Sequence, residues 1–485
     1  MLNYIWASLI LIGLLVAGLL GRFTGENGVI TSALDMSKTA VMDIALPLAG
    51  MMMFWLGVMR LMEKAGLMDF VARALSPIMR RLFPDVPREH PAMSAMIMNL
   101  AANMLGLGNN ATPLGLKAMT HLQELNPHKD TASNAMITFL ALNTAAFTLL
   151  PMTVINYLSA AGIKGAYQII VPTIIVTGCT TLTAILAAKT YQKLPAFRLP
   201  PQSTPAPLPV QAADSAAPDA PAAPAAEPEV RRSMTSRSRV FFTILLALFL
   251  GGVVLELAAP SVRQSVLDAT GLTQVLQDAD ARAAAAKAAA AAKEGTAEAS
   301  VTEKTTGAIR RLMDGVSGVA IPLLLVVTLG IAWGRGVKVY EEFVEGAKEG
   351  FAVATRIMPF LVAMLAALAI FRSSGALLLL EHVLTPLLNL ISFPVELLPM
   401  ALMRPLSGSG SLGILNELLA RTDVLEYLKY TAAIMFGSTE TTFYVLAVYF
   451  GSVSVRKTRH AIATGLTADV AGFTMSVIVG RLMFA

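Results

Sequence analysis

The sequence predicts an all-α, polytopic membrane protein: two related halves with discontinuous, re-entrant helices and amphipathic interfacial helices. Three observations carry that prediction. Hydrophobic residues make up 55% of the 485 residues and charged residues only 14%, against about 25% charged in an ordinary soluble domain. The apolar residues fall in many separate runs, several of them long enough for a bilayer crossing, and mean hydropathy is +0.64. Three polar landmarks recur in the same order in the two halves.

The first run, residues 2–20, has no Lys or Arg before its apolar core and no small-x-small cleavage site. It reads as a retained first span rather than a cleaved signal. A second span is expected at 41–59. Residues 67–83 mix apolar positions with Arg73, Arg80 and Arg81, a pattern suited to the interface plane. Residues 92–107 are apolar but short, residues 132–160 are interrupted by Pro151, and 166–188 is a further span. These close a first domain at 1–194.

Residues 195–238 form a Pro/Ala-rich linker with almost no large apolar side chains in its core, so it cannot bury one. Basic residues on both sides place it in the cytoplasm. A third block, 239–334, has spans at about 240–258 and 316–334 around an Ala-rich insert, 259–315, expected as an exposed helical spacer outside. The last domain is 335–485. Its charged stretch 335–349 is expected to return to the cytoplasm, before apolar segments at 352–371, 376–393, 396–403, 429–450 and 461–484.

The halves echo each other. Pro47, Gly66 and Pro77 answer Pro359, Gly375 and Pro386; GLGNNATPLG answers RPLSGSGSLG; LNTAAFTLLP answers GSTETTFYVL. Internal duplication is a common transporter plan, with the binding site at the repeat interface.

Glycine-rich polar breaks at membrane depth must be buried in protein or face a polar cavity, because unpaired backbone groups are costly in hydrocarbon. Gly106, Gly108, Pro113, Gly408 and Gly410 are the candidate helix-breaking residues. Neutral donors and acceptors around them are candidates for binding a polar solute: Asn99, Asn103, Asn109, Asn110, Thr112, Asn143 and Thr144 in the first half, and Ser407, Ser409, Ser411, Ser438, Thr439 and Thr441 in the second. Glu440 lies deep in an apolar run, with Arg404 as its expected partner; an intramembrane carboxylate is costly unless paired, protonated or functional. These two are the candidates for ion or proton coupling. For the amides, the competing reading is helix–helix glue. Arg372 and Glu381, near segment ends, read as snorkelling side chains.

The net charge of +5 fits basic residues flanking apolar runs and anionic headgroups, so the lipid bilayer and not nucleic acid is the expected partner. A single cysteine, Cys179, excludes an intrachain disulfide and a cysteine metal cluster. Phosphate-binding loop, dinucleotide fingerprint and HExxH patterns are missing. No enzymatic activity, metal or cofactor is expected beyond coupling to sodium or protons, and a homo-oligomer is left open.

Through NMLGLGNNATPLGLKAM and ASNAMITFLALNTAAFTLLP the first half resembles the spore maturation protein A family. Through RPLSGSGSLGIL, YTAAIMFGSTETTFYVLAVYFG and the closing segment with Asp469 the second resembles the spore maturation protein B family. Both are of the nucleoside recognition, or Gate, group. The resemblance implies two Gate-type halves in the bacterial inner membrane. Its motifs support Asn109, Asn110, Thr112, Pro113, Ser407, Gly408, Ser409, Gly410, Ser438, Thr439, Glu440 and Thr441. The expected function is secondary transport or export of a small polar metabolite, nucleoside-like or amino-acid-like. The alternative is a non-transporting membrane scaffold or regulatory protein. Transport requires the breaks of both halves to meet in one wet chamber.

Overall fold

The computed structural model describes residues 2–24, 28–106, 108–163, 165–197, 236–258, 308–379 and 392–485, with isolated positions between. The chain forms two compact units, one of Met1–Arg232 with Val337–Ala485 and one of Ser233–Gly336. Most of the Pro/Ala-rich linker and of the Ala-rich insert, and also Glu381 and Pro386, lie outside the described residues.

The larger unit opens with α1 (Leu2–Leu20) and α2 (Val29–Thr39). One π turn, Ala40–Ala45, leads on into α3 (Leu46–Lys64). The π turn immediately precedes Pro47, which offers no backbone N–H and whose ring would crowd the preceding carbonyl. The helical run is 36 residues, Val29–Lys64, so the span expected at 41–59 begins earlier. Asp35 and Lys38 do not stop it. Gly66, at φ +72°, turns the chain into α4 (Leu67–Leu82), which buries Met68, Ala72 and Met79 and carries Arg80 and Arg81 in its last turn. This is the expected amphipathic helix.

Four shorter helices follow: α5 (Pro91–Met104), α6 (Gly108–Glu124), α7 (Asn134–Ala145) and α8 (Met152–Ala160). The long α9 (Ile170–Tyr191) closes the first half. In the smaller unit, α10 (Ser236–Ala258) packs on α11 (Ala308–Gly334), with Phe241 edge-on to Trp333 at 4.9 Å.

The second half of the larger unit begins with α12 (Val339–Ser373), and Gly375 at φ +90° turns it into helical residues 376–379. Then come α13 (Leu398–Met403), α14 (Gly408–Ala420), α15 (Glu426–Ser438), α16 (Thr442–Ser452) and α17 (Ala461–Phe484). The charged stretch 339–349 forms the first turns of α12. The apolar segment 429–450 is discontinuous, as expected of this fold class: two helices separated at 439–441.

The order of elements repeats: α3, α5, α6, α7, α8 and α9 correspond to α12, α13, α14, α15, α16 and α17. Counterparts also pack on each other. α3 lies against α12 and α9 against α17, while α7 meets α17 and α15 meets α9. Self-matching contacts of this kind mark an approximate two-fold relation between the halves. At the α3–α12 contact a Cβ on Gly350 would stand 2.7 Å from Met52 O, so only glycine permits this approach. The same interface holds Arg60 to Glu342 at 2.8 Å and Glu349 at 3.1 Å.

Among the described residues five helices are long and apolar enough to cross a membrane: Val29–Lys64, Ala166–Tyr191, Gly315–Gly334, Val339–Ser373 and Ala461–Phe484. Trp6–Leu20 and Ser238–Val254 are shorter apolar helices. Among the described residues the β structure is a single bridge between Thr131 and Lys457, and the fold is all-α.

Candidate solute site at the helix breaks

Among the described residues each half contains two interrupted helices. In the first half the breaks are at 105–106, between α5 and α6, and 146–151, between α7 and α8. In the second they are 404–407, between α13 and α14, and 439–441, between α15 and α16. Local sequence explains each stop. Gly106 sits at φ +75°, and a Cβ there would stand 2.8 Å from Leu150 O. Ala146 adopts φ +43° just before the Pro151 turn. Pro405 interrupts the third, and Ser407 accepts the Gly410 N–H at 3.0 Å to cap α14. Thr439 and Thr441 are extended.

The breaks satisfy one another's backbone groups. Leu149 N donates to Met104 O at 2.9 Å, and Phe443 N donates to Pro405 O at 3.1 Å. Thus in each half the second break is stitched to the first. Glu440 N donates to Thr144 O at 2.7 Å, which joins the halves. These bonds remove part of the penalty that irregular backbone carries inside a membrane protein.

The four breaks line one cavity of about 570 Å³. Asn103 and Gly106 come from the first, Thr148 and Pro151 from the second, Arg404 from the third and Glu440 from the fourth. Gly408 and Ser409, the first residues of α14, and Met152 and Thr153, the first of α8, also face it. Helix N-termini carry free N–H groups and a partial positive charge, so they attract electronegative groups of a ligand.

The two charged residues differ in exposure. Arg404 is buried: it donates from Nη2 to Thr439 O, and its guanidinium lies 4.4 Å over the Phe436 ring. The Glu440 side chain is 57% exposed, and its Oε2 is 3.8 Å from Arg404 Nη2. The arginine is therefore fixed by its surroundings, whereas the carboxylate is open to the cavity. The expected pair is present, but Glu440 is not sealed in apolar surroundings.

The neutral wall is a hydrogen-bond network. Asn103 Nδ2 donates to Asn143 Oδ1 at 3.0 Å, and the Tyr449 hydroxyl donates to the same oxygen at 3.1 Å. Asn143 Nδ2 in turn donates to Phe139 O at 3.0 Å. Asn99 Nδ2 donates to Ala111 O at 2.7 Å, tying α5 to α6 across the break.

Of the residues expected to bind solute, Asn103 and Ser409 line the cavity, and Ser407 is 3.4 Å from Ser409. Asn99, Asn143, Thr144, Ser411, Ser438, Thr439 and Thr441 are buried and do not line it. Asn99 ties α5 to α6, and Asn143 bridges α5 and α16. Ser411 and Ser438 return their hydroxyls to Gly408 O and Met435 O in their own helices. Thr112 is half-buried in α6. The side chains of Asn109 and Asn110 lie outside the described residues. Among the expected helix breakers, Gly106 is in a break. Gly108 opens α6, and Pro113 is inside it. So early in a helix, a proline removes a single intrahelical bond. Gly408 and Gly410 form the first turn of α14. Arg372, expected to snorkel, pairs with Glu417 at 3.0 Å.

Sequence reasoning did not single out Thr148, Phe436 and Tyr444 on the cavity wall, Tyr449 in the network, or Asp469 as a site residue. Phe436 could have been found, because it lies four residues before Glu440 on the approaching helix. Asp469, a lone carboxylate in the apolar run 461–484, carried the same signal as Glu440.

These features define a membrane-embedded protein of two repeats, with a polar cavity where interrupted helices meet. The nucleoside recognition (Gate) family matches once in each half, at residues 45–164 and 354–456. Spore maturation protein A of Bacillus subtilis (strain 168) is 42% identical over 186 residues, 38% of this chain and 93% of that protein. Spore maturation protein B of the same organism is 41% identical over 173 residues, 36% of this chain and 97% of that protein. No solved structure gives a significant match. The chain belongs to the spore maturation protein family with nucleoside recognition domains, and joins an A-like and a B-like half in one multi-pass protein of the bacterial inner membrane.

Proposed function

We propose that the protein moves a small polar solute, nucleoside-like or amino-acid-like, across the membrane through the cavity at the four breaks. The observation that carries this reading is the convergence of all four on one space. Isolated polar kinks used only as helix glue have no need of a common chamber. A volume of about 570 Å³ is within the usual range for small-molecule sites. Its lining suits a ligand with both donors and acceptors: the open Glu440 carboxylate accepts, and Asn103, Arg404 and the α8 and α14 N-termini donate.

Interrupted helices divide long spans into short pieces that can tilt separately. Tilting the α5–α6 and α7–α8 pairs against α13–α14 and α15–α16 would open the cavity alternately to each side. The Glu440–Thr144 and Leu149–Met104 bonds are where the pieces would hinge.

The test is reconstitution of the full chain in liposomes, with nucleosides and amino acids screened under sodium and pH gradients. Uptake or efflux of one class, reduced in Glu440→Gln at unchanged membrane level, is expected. No flux of any solute, with Glu440→Gln disrupting assembly instead, would favour the scaffold alternative.

A further inference from the structure

Asp469 lies in α17, one of the helices able to cross the membrane, and is 1% exposed. An ionised carboxylate in such a place is costly unless both oxygens are compensated. Here one is and one is not. Asp469 Oδ2 accepts the Thr442 hydroxyl at 2.6 Å. Asp469 Oδ1 has no hydrogen-bond partner.

A second buried oxygen is in the same position. The Thr439 side chain, fully buried, faces Asp469 at the margin of hydrogen-bond reach, and its Oγ1 likewise makes no hydrogen bond of ordinary geometry. The surroundings are rich in hydroxyls. A Cβ on Gly472, three residues along α17, would come within 3.0 Å of Ser438 Oγ and 3.1 Å of Thr180 Oγ1. The charged group facing Asp469 among the described residues is Arg404, from the third break, and its guanidinium is already held by Thr439 O and the Phe436 ring. From the packed helices, α9 and α15 bring the hydroxyls of Thr180 and Ser438. α16 brings Thr442, and α7 carries no ionisable residue.

We propose that Asp469, with the hydroxyls of Thr439 and Thr442, forms a buried site for a small monovalent cation, a sodium ion or a proton. Hard oxygen donors with one carboxylate suit either. A proton would sit on Oδ1 and donate toward Thr439 Oγ1; a sodium ion would be shared by Oδ1 and that hydroxyl. Thr439 and Thr442 bracket the fourth break, so occupancy of the site would set the shape of the segment that presents Glu440 to the cavity. Calling this coupling rests on the transport proposal; the binding itself does not.

The binding test therefore uses no solute. The thermal unfolding midpoint of the full chain, in lipid nanodiscs, is followed in sodium chloride against choline chloride and across a pH series. A rise specific to sodium, lost in Asp469→Asn, identifies a sodium site. A pH-dependent midpoint indifferent to sodium, flattened in Asp469→Asn, identifies a proton site. Should that variant not fold, Thr439→Ala and Thr442→Val carry the test. Either one should move the half-maximal sodium or proton concentration about tenfold, as expected when one bond to a charged group is lost. No response to either ion, or a response unchanged in the variants, overturns the site. Solute flux without an ion response would leave the transport proposal standing and remove this one; the reverse result would do the opposite.

Discussion

On the first-half side of the cavity the polar groups are neutral: Asn103, Thr148 and the backbone around Gly106. On the second-half side the equivalent breaks bring Arg404 and Glu440. Asn103 is also held in a network with Asn143 and Tyr449, whereas Glu440 is largely exposed. Duplication supplied the same interrupted helices twice, and the side chains at the breaks then diverged. On the neutral side the polar groups hold one another, and on the charged side a carboxylate is left open to the cavity.

That contrast can be broken by substitution. The largest effect is expected at Arg404. Arg404→Ala orphans Thr439 O, empties the space over Phe436 and leaves Glu440 without its partner. Solute flux should be lost, and stability should fall by about 1–3 kcal/mol for the orphaned buried acceptor, read as a lower thermal midpoint. Glu440→Gln comes next. Flux should fall about tenfold, as a charged hydrogen bond becomes a neutral one. The midpoint should hardly move, because an exposed pair contributes little. Gly106→Ala tests the first half. The positive φ and the nearby Leu150 O should cost about 1–3 kcal/mol, against less for Gly410→Ala, where the neighbouring Met403 side chain can give way. The smallest effect is expected from Asn103→Ala, about 0.5–1.5 kcal/mol for one hydrogen bond, with flux reduced less than in Glu440→Gln. If Asn103→Ala abolished flux and Glu440→Gln spared it, the division of labour would be reversed.

The landmarks in the sequence led to the helix breaks, and packing places only some of their polar side chains on the cavity wall. Asn99 and Asn143 stand out by composition, yet an amide reads the same whether it ties two helices or meets a ligand. Their bonds to Ala111 O and from Tyr449 depend on which helices lie beside them. STETT was legible as a polar landmark inside the apolar segment 429–450, and the helix is interrupted there. The helix stops at 439–441 because Thr439 and Thr441 are extended and the backbone is bonded instead to Thr144 and Pro405, partners far away in the sequence.

Composition and order alone determined that this chain is helical and membrane-embedded, that it is doubled, and where its polar interruptions fall. Those properties follow from the solubility of side chains in hydrocarbon and from local backbone preferences, which act residue by residue. Tertiary packing decided that the four interruptions share a chamber, that Glu440 is open while Arg404 is clamped, and that Asp469 keeps an uncompensated oxygen. Each of these depends on distances between segments tens to hundreds of residues apart. Such distances are set by how α3 meets α12 and α9 meets α17, and no local preference encodes them.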